Sequence, residues 1–435
     1  MVLITVDTLR ADRLGAFGHP AGASPWIDRL GREGILFEQA IAPSCFTAPS
    51  MATLSSGLDP MTHGVLEWGR KGADVERTAA EAFRDAGYRT GFFSAHGALA
   101  SIVAVTRGFD VVSDEGDAPA ARLTERALEW VDEGGTAPFF LWIHYFEPHA
   151  PYEPAPEDAT RFLPQGASDS IPDYLPPDAW RLELERRLRA DPAAAADWLP
   201  GLYDGEVAEV DRAIGRVAER LESDRWRDRS ILAMTADHGE NHADHEPYFD
   251  HRNYLFDSLV HVPMLVWFPG RRGEIGGRIR EPVGIRGLLP SMLALAGIRD
   301  ETFDPDGTSF VVGVRETEGG GLEPELRFGH DGVFVDSGLQ EQPHKGIRSR
   351  DTKLTLSLSD GRYLVYDLRA DPGETSPRAL SEADERGQEM RDRLDTWIER
   401  ARGTRTADPA MLDDQERRRL EALGYFPRSE GDSPR

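Results

Sequence analysis

The chain has 435 residues, 40% hydrophobic and 29% charged, with a formal net charge of −26. That is globular composition, long enough for a large α/β domain plus a smaller one, and it excludes a disordered or fibrous chain. So acidic a protein repels nucleic acid and anionic lipid, and its single cysteine, Cys45, rules out an intramolecular disulfide.

Val2–Val6 is a continuous apolar run ending at Asp7, the pattern of a parallel strand buried on both faces. Tyr88–Phe93, Phe139–Tyr145, Ser230–Met234 and Pro263–Phe268 read the same way. Helical periodicity fills the intervals at Trp26–Glu33, Ala79–Ala86, Ala120–Asp132 and Gly205–Leu221. Strands alternating with helices predict a mostly parallel sheet covered on both faces, with sites at the carboxyl ends of the strands. Residues 150–200, rich in Pro, Ala and acidic residues, are expected to form a long surface insertion, and 315–325 a linker. Beyond it, Gly346–Ser357 and Gly361–Leu368 alternate around Ser359-Asp360-Gly361, a hairpin signal, and a helix is expected from Ser381 to Arg402. The expected organisation is a catalytic domain over 1–315, a smaller α+β subdomain over 326–425 and a polar tail over 426–435.

No run of about 18 apolar residues occurs, so no transmembrane helix and no membrane partner are expected. The first residues lack the basic start and cleavage site of a signal peptide. The sequence as it stands reads as cytoplasmic, and a trimmed or mis-assigned start would make it periplasmic or secreted. Nothing in it marks an oligomeric state.

Three clusters carry chemistry. Asp7 ends a buried strand, where a carboxylate needs a partner; a metal ion is one and an N-capping role another. In Asp237-His238-Gly239-Glu240, a carboxylate and an imidazole adjoin after a strand, and Gly239 permits the turn that aims both into one space. Thr47-Ala48-Pro49-Ser50 places a hydroxyl at the start of a helix, whose positive end favours an oxyanion. An anionic substrate approaching so acidic a chain also needs local positive charge, which a bound metal supplies.

In their order along the chain these motifs resemble the sulfatase family of the alkaline-phosphatase superfamily. Thr47-Ala48-Pro49-Ser50-Met51 stands at the family's Cys-x-Pro-Ser-Arg signature, Ser56-Gly57 at its Thr-Gly and His63-Gly64 at its His-Gly. Ser24-Pro25-Trp26-Ile27-Asp28 resembles Thr-Pro-Asn-Leu-Asp, and Pro148-His149-Ala150-Pro151-Tyr152 matches Pro-His-x-Pro-Tyr. Asp237-His238-Gly239-Glu240, Leu255-Phe256-Asp257, Tyr366-Asp367-Leu368 through Glu374, and Leu423-Gly424-Tyr425 complete the match. The resemblance implies an alkaline-phosphatase-like mixed, mostly parallel sheet flanked by helices, with a small C-terminal antiparallel sheet plus helix. It implies a hydrolase of small-molecule or glycan sulfate or phosphate esters. Asp7, Thr47, Asp237 and His238 would hold a divalent ion, calcium by resemblance, with manganese or zinc also suited to these donors.

Departures from the pattern shape the chemistry. The cysteine that the family oxidises to formylglycine is replaced by Thr47, its arginine by Met51, and the Gly-Lys-x-His pattern is missing around His96. Cys45 lies two residues too early to substitute. A threonine nucleophile occurs in relatives that cleave phosphoryl esters, so phosphodiesters and phosphonate monoesters are alternative substrates, phosphoryl transfer an alternative reaction, and an inactive binding module an alternative role. The resemblance makes His149 an acid/base candidate. His251 is a second catalytic or metal-binding candidate, Arg252 and His245 are candidate substrate contacts, and His242 is expected at the surface.

Overall fold

The computed structural model describes the chain except residues 21, 71, 73–74, 117, 164–182, 184–185, 188–189, 191, 246–248, 252–253, 301, 304–308, 317–321, 327–331, 339–342, 402–416, 419 and 421–435. The Leu423-Gly424-Tyr425 motif and the expected polar tail lie outside the described residues.

Eight strands make the body of the main sheet: β1 (Val2–Val6), β2 (Ile35–Ile41), β3 (Arg89–Ser94), β4 (Val111–Asp114), β5 (Phe139–Tyr145), β6 (Leu232–Ala236), β7 (His261–Trp267) and β8 (Gly277–Ile279). Their order is β8-β2-β7-β6-β1-β5-β3-β4, and the short strand Val283–Gly284 also pairs with β2. Every residue of β1, β5 and β6 is buried, as their unbroken apolar runs require. Pairing is parallel from β6 through β1, β5 and β3 to β4. β7 runs antiparallel to both β6 and β2, so β2 points the same way as β1. The carboxyl ends of β1, β2, β5 and β6 therefore share one edge of the sheet, and Val6 is in register with both Tyr145 and Ala236.

Helices cover both faces. Ala120–Glu133 buries Ala120, Leu123, Thr124, Ala127, Leu128 and Val131, a stripe at helical spacing. Ala79–Asp85 starts with a complete capping box between Thr78 and Glu81. The helix ending at Leu221 is longer than its periodicity predicts. It begins at Pro192, so the expected surface insertion gives up its last residues to a 30-residue helix that carries Pro200 inside it. Part of the same insertion forms the helix Pro156–Phe162. The expected linker is also corrected: Val311–Glu316 pairs antiparallel with Leu322–Leu326. Read as composition, the Gly-rich centre suggested a spacer, but such a centre equally joins two strands.

The C-terminal part is a five-stranded antiparallel sheet, Val333–Asp336, His344–Arg348, Thr352–Ser357, Tyr363–Asp367 and Arg378–Ala379, in sequence order. The predicted run Gly346–Ser357 is two strands rather than one, split by a turn between Arg348 and Thr352. Gly361, at φ +70°, supplies the left-handed residue of the predicted hairpin. Helix Glu385–Ala401 packs Met390 and Leu394 on Ile347, Leu354 and Val365. A small core of Ile41, Cys45, Leu255, Leu259, Val260 and Val335 joins this sheet to the main one. Beside it Lys353, fully buried, donates from Nζ to Leu255 O at 2.8 Å and meets Asp257 at 2.6 Å and Glu374 at 2.7 Å. Among the described residues, no helix is long and apolar enough to cross a membrane.

Two expectations follow. Lys353→Met should lower stability to urea by about 3 kcal/mol, because buried Glu374 loses its cation and half-buried Asp257 keeps only Arg348. Adding Glu374→Gln should recover part of that loss. The second concerns His63, whose Nδ1 accepts from Val65 N at 3.1 Å, so Nε2 carries the hydrogen that faces Thr53 Oγ1 at 2.9 Å. Burial pushes its pKa from 6.5 down to about 3. Between those values the unfolded chain binds the extra proton, so stability should fall as pH drops below 6.5, by up to about 1.4 kcal/mol per unit from this group. Melting temperatures from pH 7 to pH 5 should show a shallower slope in His63→Asn than in wild type.

Candidate metal and ester-hydrolysis site

Asp7 and Asp237 each follow the last residue of a central strand, and the parallel register sets them level. The turn after β1 is strained. Thr8 sits at φ +54°, held by Tyr203, whose hydroxyl donates to Thr8 O at 2.7 Å and accepts from Arg10 N at 2.9 Å. Thr8 N and His238 N both donate to Asp237 Oδ1, at 3.3 and 2.8 Å. Asp237 Oδ2 and both oxygens of Asp7 are buried without a hydrogen-bond partner.

His238 completes the group. Its Nδ1 lies 2.9 Å from Gly239 O, a carbonyl that can only accept, so Nδ1 carries the hydrogen and neutral Nε2 presents a lone pair. That lone pair lies 3.4 Å from Asp237 Oδ2 and 3.8 Å from Asp7 Oδ1. Donor atoms of Asp7, Asp237 and His238 all lie within 4.8 Å of one another, a set that could hold a metal ion. Without a cation the arrangement is electrostatically unfavourable. Burial pushes the Asp7 carboxyl well above the usual range, and the Asp237 charge adds to the rise.

Thr47 opens the helix Thr47–Ser56, after the extended residue Phe46. Fully buried, it brings Oγ1 to 3.1 Å from His238 Nε2. Since Nε2 is bare, the threonine hydroxyl donates. The four residues expected to share an ion thus meet at the sheet edge. His149 and His251 stand beside them: the His251 ring centroid is 4.6 Å from that of His238 and 5.3 Å from that of His149. His149 Nδ1 donates to Ala150 O at 2.7 Å, and burial lowers its pKa to about 4, with His251 adding to the effect. His251 Nδ1 pairs with Glu240 Oε1 at 3.0 Å.

Other expectations fall elsewhere. His245 stacks on Phe256, centroids 3.6 Å apart, and lines a separate cleft of about 500 Å³ with Arg10, Asp257 and Arg348. Its ring and hydrogen-bond contacts, to Phe256 and Asn241, lie away from the Asp7 group. Arg252 lies outside the described residues. His242 is buried rather than exposed: Tyr152 OH lies 3.0 Å from its Nε2 and the Tyr203 ring 4.4 Å from its own, so aromatic packing overrides the polar context of its loop. His96 stacks on Trp68 at 4.7 Å. Sequence reasoning missed His144, whose Nε2 faces Asp7 Oδ2 at 3.6 Å, and gave no role to Glu240. A histidine inside the apolar run Phe139–Tyr145 was the available signal.

Comparison with known proteins identifies the family of this chain. The family profile described as Sulfatase matches residues 1–298. Human iduronate 2-sulfatase is 26% identical over 385 residues, covering 69% of this chain and 69% of that protein. A solved structure in complex with its substrate, D-glucosamine-2-N,6-O-disulfate, aligns with a TM-score of 0.72 at 18% identity, over 95% of this chain and 99% of the other. The phosphonate monoester hydrolase of Agrobacterium radiobacter aligns with a TM-score of 0.68 at 21% identity, over 92% and 95%. The profile spans well over half of the chain and takes in Asp7, Thr47, Asp237 and His238: this protein belongs to the sulfatase family and is an ester hydrolase.

Proposed function

We propose that this chain hydrolyses sulfate or phosphate esters of small molecules or glycans, with a divalent ion at Asp7, Asp237 and His238 and with Thr47 as nucleophile in place of formylglycine. One observation carries the reading: three partnerless carboxylate oxygens and one bare imidazole nitrogen converge in a buried space where the Thr47 hydroxyl also points. A divalent ion there would supply the positive charge that offsets the carboxylates and favours the alkoxide form of Thr47. Calcium, manganese and zinc all suit this mixed oxygen and nitrogen donor set.

The remaining work falls to the chain itself. Thr47 Oγ1 attacks sulfur or phosphorus, its bond to that atom forms, and the bond to the leaving oxygen breaks. Net, the hydroxyl proton of Thr47 ends on the released alcohol, carried by imidazole. His251 is the fitting donor, since Glu240 orients its ring through Nδ1 and leaves Nε2 to pass the proton. His149, kept neutral near pH 7 by burial, is the fitting acceptor when water attacks the sulfur or phosphorus: the bond to Thr47 Oγ1 breaks, sulfate or phosphate leaves, and the proton taken from water returns Thr47 to its hydroxyl form. The start of the helix adds a positive dipole at the reacting oxygen. A second reading, phosphonate monoester hydrolysis, is favoured by Thr47 itself, because a hydroxyl cannot form the aldehyde hydrate of classical sulfatases, and by the fold shared with the Agrobacterium enzyme.

Thr47→Ala should cut turnover of aryl sulfates or phosphates by several powers of ten while the fold persists, and Thr47→Ser should keep partial activity. Quenching wild type with a slow substrate should leave a sulfuryl or phosphoryl adduct on the peptide containing Thr47, seen by mass spectrometry. Wild-type turnover by Thr47→Ala would mean that water attacks directly. Separately, Asp237→Ala should abolish metal binding in a calorimetric titration, and the melting-temperature rise that added metal gives wild type should vanish with it.

A further inference from the structure

His144 lies outside the reaction described above, yet it is fully buried against its first metal ligand. Thr5 and His144 are paired across β1 and β5, so the two side chains stand together on one face of the sheet. Thr5 Oγ1 accepts from Trp142 Nε1 at 2.9 Å, and it lies 2.9 Å from His144 Nδ1. An indole nitrogen only donates, so one lone pair of Oγ1 is committed to Trp142 and the hydroxyl hydrogen is available for Nδ1. Neutral His144 then carries its own hydrogen on Nε2, aimed at Asp7 Oδ2 3.6 Å away. The opposite tautomer would set a lone pair against a carboxylate.

We infer that Trp142, Thr5 and His144 form a buried hydrogen-bond relay that fixes the His144 tautomer and holds Asp7 in the orientation that binds the metal ion, making His144 a positioning residue rather than a ligand. This rests on the metal reading above. The hydrogen on Nε2 occupies the nitrogen that would otherwise coordinate, and at 3.6 Å it faces Asp7 Oδ2 just beyond hydrogen-bond distance, a donor that the carboxylate reaches by a small shift when it ligates. A donor behind a ligating carboxylate stabilises its ionised form and restricts its rotation, and removing such a partner typically costs about 10–100-fold in metal affinity. All three relay side chains sit on the two strands whose parallel register sets Asp7, so the device is built into the fully buried centre of the sheet.

The test is a titration of chelator-stripped full-length protein with Mn²⁺, read from the electron paramagnetic resonance signal of the free ion. His144→Leu should weaken binding about 10–100-fold, and His144→Gln, which keeps an N–H donor, should recover most of it. Thr5→Val, nearly isosteric, should weaken binding to a smaller degree, and it carries the test if His144→Leu does not fold. Near-ultraviolet circular dichroism without metal checks that each variant keeps its packing. Wild-type Mn²⁺ affinity in a folded His144→Leu or, failing that, in Thr5→Val would overturn the proposal. Asp7→Asn separates this from failure of the metal reading. Weakened binding by Asp7→Asn with unchanged binding by His144→Leu removes only the relay, whereas unchanged binding by Asp7→Asn, or none by wild type, removes both.

Discussion

Two carboxylates held side by side in the buried centre of the fold set the constraint on which the rest of the site depends. Asp7 and Asp237 are fully buried, and three of their four oxygens lack a hydrogen-bond donor. Burying even one unpaired charge costs several kcal/mol, so an arrangement like this persists in a folded chain only if something else offsets it. A cation does so directly. The strained backbone of Thr8, the Tyr203 hydroxyl that clamps it and the glycine after His238 all hold the carboxylates in place despite their mutual repulsion. On the proposed reading, a bound ion would relieve this charge arrangement and give a chain of net charge −26 a local positive feature for an anionic ester.

The second half of the site comes from the same side of β1 as β6, two strands further out. Thr47 reaches His238 because β2 runs parallel to β6 despite being separated from it by the antiparallel β7. The loop after β2 therefore emerges at the same edge, and the helix it enters is pinned two turns further on where Thr53 meets His63. A pinned helix fixes its own first residue, and with it the position of the Thr47 hydroxyl.

Much of this was legible in the sequence, for identifiable reasons. Fully buried parallel strands produce unbroken apolar runs, so β1, β5 and β6 and the residues that end them, Asp7 and Asp237, stand out. Helices with one buried stripe were equally clear, as was the hairpin at Gly361. Strand β2 was less visible, because Glu38 and Gln39 interrupt its apolar pattern where its register shifts. Composition misled at 315–325 and at His242, since polarity and glycine content report local preference and not what packs on top. His144 was hidden for the opposite reason: inside an apolar strand a single histidine reads as an exception to be packed, and only the register with Thr5 gives it a purpose.

The joint between the two sheets has a consequence for how this protein can be divided. Lys353 and Glu374 belong to the C-terminal part, and both grip the segment 255–257. One residue later, Ser258 O passes so near Gly239 that any side chain there would put its Cβ 2.1 Å away, and Gly239 N donates to Leu259 O. Gly239 is the neighbour whose carbonyl sets the tautomer of His238. The C-terminal sheet therefore acts as a buttress, one short step of backbone removed from the imidazole at the metal group. An isolated N-terminal piece would keep every donor atom yet lose the contacts that brace the segment beside Gly239.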